Sequence, residues 1–300
     1  MKMAFSLWLL LATSMVCIAQ TYNSLSLPKE ENYCNNLSVH KWFGKKLKSV
    51  LMECTSEKKG YYRLDSSGEI SEIVLDNTLV PISFYADDTL LVWHTINNQY
   101  LLYNTKQCNA VEITVPALSS ILFSLPQYVR DNVAFNQELT ECVYWNDSVV
   151  VRLKHNEKEK IALADTVFSI YGNSSITNVM YICNTKIFIN IFDEEQMKES
   201  TYLCDISNDR ITKRKCDFLV DDCLDNYCIA WKDGICVLWK YDNKTDCFEK
   251  KRVIFSTLDL YGRVGFVSDD TIAWYTGLDL DYNTFEPLLS QQGLLIIVDP

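Results

Sequence analysis

ISFYADDTLLVW, residues 82–93, decides how this chain is read. Two apolar segments rich in Ile, Phe, Tyr, Val and Trp flank the pair Asp87-Asp88, and such side chains favour a pleated, half-buried surface. Aspartate suits the break, because its carboxylate bonds nearby backbone and the residue tolerates left-handed geometry. The unit therefore predicts a strand, a tight turn and a second strand. It returns as ECVYW-ND-SVVVR (141–152), VMYIC-NT-KIFIN (179–190), DFLV-DDCLDN-YCIAW (217–231) and RVGFVS-DD-TIAWY (263–275).

The residues opening the second strands are Thr89, Ser148, Lys186, Tyr227 and Thr271, spaced by 59, 38, 41 and 44. Three steps agree, and the long one contains residues 115–140, read as an insertion carrying a short helix or a long surface loop. Further strand-like pieces follow the hairpins, such as QYLLYN and AVEITV after the first. KSVLMEC, YYRLD and EISEIV, within 48–74, supply a degenerate earlier unit, making six. One small antiparallel sheet cannot bury both of its faces, whereas sheets packed face to face in a closed ring can.

The repeated hairpin resembles the inner hairpin of β-propeller blades. That resemblance implies an all-β fold, a β-propeller read as six-bladed, with five or seven blades or two β-sandwich domains as alternatives. The Trp-Asp ending of WD40 blades, the paired glycines of kelch and the sialidase Asp-box are absent, so no particular propeller family is indicated. GLLIIVDP, 293–300, reads as a last apolar strand placed to close the ring beside N-terminal residues.

Ahead of the repeats, Lys2, an apolar run over 4–12 and the small residues of Cys17-Ile18-Ala19 form a signal-peptide pattern over 1–19, with cleavage before Gln20. The expectation is a secreted, extracellular chain with residues 20–300 as a single domain. Its net charge of −11 argues against nucleic acid as a partner, and no later apolar segment is long enough to span a membrane.

Of twelve cysteines, one lies in the signal segment. An oxidising compartment would pair most of the rest and leave one odd thiol. Cys34 and Cys54 are candidates to staple the first basic segment. Cys204, Cys216, Cys223, Cys228, Cys236 and Cys247 read as a local disulfide cluster, since they lack the tight paired spacing of zinc sites. The sequons at Asn36, Asn146, Asn173 and Asn243 fall where turns are expected and mark glycosylation positions.

Chemistry-bearing motifs are sparse. The three histidines, His40, His94 and His155, sit in no nucleophile elbow, zincin helix or metal-spaced pair. Asp87-Asp88, Asp221-Asp222 and Asp269-Asp270 are read as equivalent turns whose carboxylates could converge on one rim, as in glycosidases. Asp279, Asp281 and Asn283 alternate like the opening of a calcium loop, but Thr284 stands where an EF-hand needs glycine. No other cofactor is indicated. Lys41, Trp42, Phe43, Lys45 and Lys46 form a basic aromatic patch, read as a docking surface or as the solvated face of a short helix over 37–50. These residues point to a non-enzymatic binding protein for an extracellular protein or glycan, with a carbohydrate-active hydrolase using rim carboxylates as the alternative. A matrix or coat component, linked through the odd cysteine, is a third reading.

Overall fold

A computed structural model describes residues 22–25, 37–44, 47–54, 60–67, 69–126, 132–156, 158, 161–207, 211–255, 263–268, 271–275 and 294–298. The first strand, β1 (Tyr22–Leu25), is followed by five sheets that each use four consecutive strands. Blade 1 holds β2 (Leu37–His40), β3 (Ser49–Cys54), β4 (Gly60–Asp65) and β5 (Ile70–Ile73). Blade 2 holds β6 (Leu79–Ala86), β7 (Thr89–His94), β8 (Gln99–Asn104) and β9 (Asn109–Val111). After the helix α1 (Pro116–Ser124), blade 3 holds β10 (Val133–Phe135), β11 (Glu141–Trp145), β12 (Val149–Asn156) and β13 (Ile161–Ser169). Blade 4 holds β14 (Ser174–Cys183), β15 (Lys186–Asp193), β16 (Lys198–Asp205) and β17 (Thr212–Lys215). Blade 5 holds β18 (Leu219–Leu224), β19 (Tyr227–Lys232), β20 (Ile235–Asp242) and β21 (Cys247–Phe255).

A closing four-stranded sheet joins the two ends of the chain. It takes β22 (Arg263–Phe266), β23 (Thr271–Tyr275) and β24 (Leu294–Val298), and β1 completes it by pairing antiparallel with β24. All pairings within the sheets are antiparallel, and the fold is the all-β propeller that the repeat implies. The second strands open at Thr89, Val149, Lys186, Tyr227 and Thr271, within one residue of the sequence reading.

The first strands of blades 1, 3, 4 and 5 line the centre, and among the fourth strands all residues of β9 and β17 are exposed. The core lies between blades. Val143, Ile187 and Ile189 fill one seam, and Ile182, Phe188 and Val220 fill the next. Turn chemistry follows composition. Asp193, Asp205 and Asp242 each accept the backbone N–H two residues on, at 2.9–3.0 Å, and so close hairpins.

Three expectations need correction. The described residues of 37–50 form no helix: they are β2, an irregular strap at 41–44 and 47–48, and the start of β3. Asp221-Asp222 is not a turn, because the hairpin of blade 5 closes at Asp225-Asn226 and both acids lie inside β18. The cysteine cluster is not disulfide-bonded: Cys204, Cys216, Cys223, Cys228, Cys236 and Cys247 are all free thiols, as are Cys108, Cys142 and Cys183. Four of them, Cys204, Cys223, Cys228 and Cys236, are at most 5% exposed on strand interiors and act as small apolar fillers of the blade seams. Cys34 and the side chain of Cys54 lie outside the described residues, as do residues 1–19 and Asn36.

Candidate functional site

The first strands of five sheets surround a central cavity of about 240 Å³. One wall is the strap that follows β2. Its backbone is held at both faces: Trp42 N–H donates to Ser83 Oγ at 3.1 Å, and Trp42 C=O accepts from Phe135 N–H at 2.7 Å. Phe43 forms a parallel bridge with Phe135. Gly44 packs closely there: a Cβ would stand 3.3 Å from the Phe135 carbonyl oxygen, a tight contact. Trp42 packs on Phe135 and Tyr100, and Phe43 on Phe135 and Tyr85. Of the basic aromatic patch, Trp42 and Phe43 are therefore core, 2% and 1% exposed, because the strap must seal the seam between blades 1, 2 and 3. Lys45 and Lys46 lie outside the described residues.

Lys41 turns into the cavity instead. Its Nζ donates to Asp222 Oδ2 at 2.9 Å and to the Cys223 carbonyl at 3.4 Å, and it lies 5.5 Å from the Phe266 ring centroid. Asp222 Oδ2 also accepts from Phe266 N–H at 2.7 Å, and Oδ1 from Cys223 N–H at 2.7 Å. Asp221 Oδ2 accepts from Trp231 Nε1 at 2.8 Å and Val264 N–H at 3.1 Å. A register shift between Val220 and Asp222 lets two consecutive acids serve the same neighbouring strand, β22. They supply acceptors to backbone N–H groups of β22 that face the blade 5 seam.

The same device recurs around the ring. Lys48 N–H donates to Asp87 Oδ1 at 2.9 Å, and Asp88 meets Lys106 at 2.7 Å and Arg63 at 3.6 Å. Asn190 donates to the Val220 carbonyl at 2.6 Å and accepts from Thr201, whose hydroxyl in turn receives Val220 N–H. Lys186 reaches across to Tyr241 and Asp246, both at 2.6 Å. The Lys186 pair holds the Asp246 carboxyl below its usual range. Glu141 accepts from Tyr181 Oη at 3.0 Å, and burial pushes its carboxyl up. Asp269 and Asp270, like Asp279, Asp281 and Asn283, lie outside the described residues.

The histidines are structural in placement. His40 pairs with Glu53 across β2 and β3 at 2.9 Å, His94 Nδ1 accepts Asn97 N–H at 3.0 Å, and His155 Nδ1 meets Ser120 Oγ at 2.7 Å. Among the described residues no group of three His, Cys, Asp or Glu side chains is placed to hold a metal ion. No helix among them is long and apolar enough to cross a membrane. The sequons at Asn146, Asn173 and Asn243 sit at exposed turn positions, Asn146 accepting Ser148 N–H at 3.0 Å. The sequence reading expected these carboxylates to converge on a pocket, and Asp221 and Asp222 do line the cavity, but from inside β18 rather than from a turn; the pair Asp225-Asn226, four residues on, closes the hairpin.

No protein-family model and no curated protein matches this chain. Among solved structures, U3-55K is 8% identical over 88% of this chain and 98% of its own, with a TM-score of 0.42. The RRP9 WD40 repeats are 8% identical over 89% and 99%, with a TM-score of 0.41. The uncomplexed acylaminoacyl peptidase of Pyrococcus horikoshii is 10% identical over 81% of this chain and 44% of that one, at 0.41. At these values none of them bears on what this chain binds.

Proposed function

We propose that this chain is a secreted, non-enzymatic binding protein that engages an extracellular protein or glycan. The observation that carries the reading is the condition of the cavity acids. Asp221 and Asp222 each already accept two or more hydrogen bonds from backbone, indole or ammonium donors. A glycosidase instead needs two available carboxyl groups facing each other across about 5–5.5 Å or about 6.5–9.5 Å. Consecutive acids spent on joining β18 to β22 do not meet that need. The signal-like residues 1–19 and the exposed turn positions of Asn146, Asn173 and Asn243 fit a secretory route and attached glycans. Propellers carry function on the loops and flanks of a rigid ring, which suits a binding role.

The test is expression with the native N-terminus in a eukaryotic secretory host, followed by binding of the labelled product to intact cells. The reading predicts recovery from the medium, an N-terminus at Gln20, a mass shift on glycosidase treatment, and saturable cell-surface binding. Retention inside the host, or no saturable binding, contradicts it.

A further inference from the structure

We propose that a groove on the outer flank of blade 2, walled by α1, is a binding subsite for a neutral saccharide; this narrows the binding reading above and rests on it. The groove encloses about 610 Å³, within the roughly 300–1,000 Å³ usual for small-ligand sites. Its floor carries Trp93 and Tyr100, directly opposed across β7 and β8, with ring centroids 4.7 Å apart at 65°. Tyr100 is fixed from behind by Trp42 at 6.0 Å, so this aromatic platform is anchored to the core.

Phe123 of α1 also lines the groove and is 93% exposed, although Leu118, Ile121 and Leu122 of the same helix are buried. The rim is made by Asn97, Asn98 and Gln99, three exposed side-chain amides. None of the three makes a side-chain hydrogen bond with any described residue. Each offers both donors and an acceptor.

The chemistry of the lining selects the ligand. Among the described residues that line the groove Glu112 is the one charged side chain and none is cationic, so phosphate, sulfate and carboxylate groups find no counter-charge among them. A purely apolar segment would desolvate three amides without pairing them. A pyranose presents both required faces: C–H surfaces to lie against the rings, and hydroxyls that donate to and accept from amides.

The test is binding of the purified chain to immobilised neutral oligosaccharides ending in glucose, galactose, mannose or N-acetylhexosamine, with sialylated and sulfated ones alongside. Capture of neutral members is expected. Phe123→Ala and Asn98→Gly should each weaken capture about tenfold or more with the melting temperature unchanged, since one site is exposed and glycine accepts the φ of 53° at Asn98. Capture confined to anionic members, capture insensitive to both substitutions, or no capture overturns the subsite. If cell-surface binding persists and ignores both substitutions, the subsite fails while the binding reading stands; if cell-surface binding is absent as well, both fail.

Discussion

Replacing Trp42 by alanine probes whether the strap after β2 is the seal of the ring or an applied surface patch. The indole is 2% exposed, stacked on Phe135 at 6.1 Å and tilted against Tyr100 at 6.0 Å. A tryptophan buries on the order of 200 Å², which at about 25 cal/mol/Å² is about 5 kcal/mol, or about 3–4 kcal/mol once a compact unfolded chain is allowed for. Measured aromatic-to-alanine losses in cores run about 3–5 kcal/mol, in agreement. At about 2–4 °C per kcal/mol for a domain of this size, the melting temperature should fall by about 6–16 °C. Urea unfolding followed by near-UV dichroism gives the free energy, and Phe123→Ala serves as the reference, expected to change stability by no more than about 0.5 kcal/mol. A loss under about 1 kcal/mol for Trp42→Ala, or equal losses for the two, would refute the burial argument.

Three further outcomes follow from the same contacts. Alkylation of the native chain should label the exposed Cys108 and Cys247, while Cys142, Cys204, Cys223, Cys228 and Cys236 label only after denaturation. Buried thiols that stay unlabelled in denaturant until a reductant is added would show that they are paired after all. Lys186→Met should cost about 1–3 kcal/mol, below the usual loss for a broken buried pair because Asp246 is half-exposed and water replaces part of the interaction; an unchanged melt contradicts it. Stability should also fall at both ends of the pH range. Asp246 is held below its ordinary value of 3.8 by Lys186, and Asp242 by the Lys244 backbone N–H, so their contributions are present at neutral pH and lost as pH drops through the lowered folded values. Burial raises Cys216 to about 11 and Cys204 to about 12 from 9.0, so their contribution is full below pH 9 and is lost progressively above it. A flat melting temperature from pH 3 to 10.5 would contradict both signs.

The ring was legible because a strand pair with an Asp or Asn turn is a local signal, and five copies placed the second strands within one residue. Blade 1 was the weakest copy, and its inner strand was hidden: Lys41, Lys45 and Lys46 read as a charged surface, whereas Trp42 and Phe43 answer to Phe135, some ninety residues away. Propensity has no access to such a pairing. Asp221-Asp222 was misread for a related reason. It is spelled like the turn pair Asp87-Asp88, and only the bulge after Val220 and the neighbouring strand β22 distinguish an acid that closes a hairpin from one that joins two sheets. The cysteine reading failed because spacing along the chain cannot tell a staple from a buried filler. The groove was illegible for the opposite reason: TINNQ, residues 95–99, reads as an ordinary turn until the insertion brings Phe123 into the same groove.

The central claim is that the cavity carboxylates join the ring and do no chemistry. Asp222→Asn, examined together for melting temperature and for turnover of chromogenic glycosides, tests it most directly. The account predicts no turnover by either protein and a stability loss of about 1–3 kcal/mol, as Lys41 loses its charged partner in a site where both side chains are 18% exposed. Turnover by the native chain that vanishes in Asp222→Asn with an unchanged melt would contradict it.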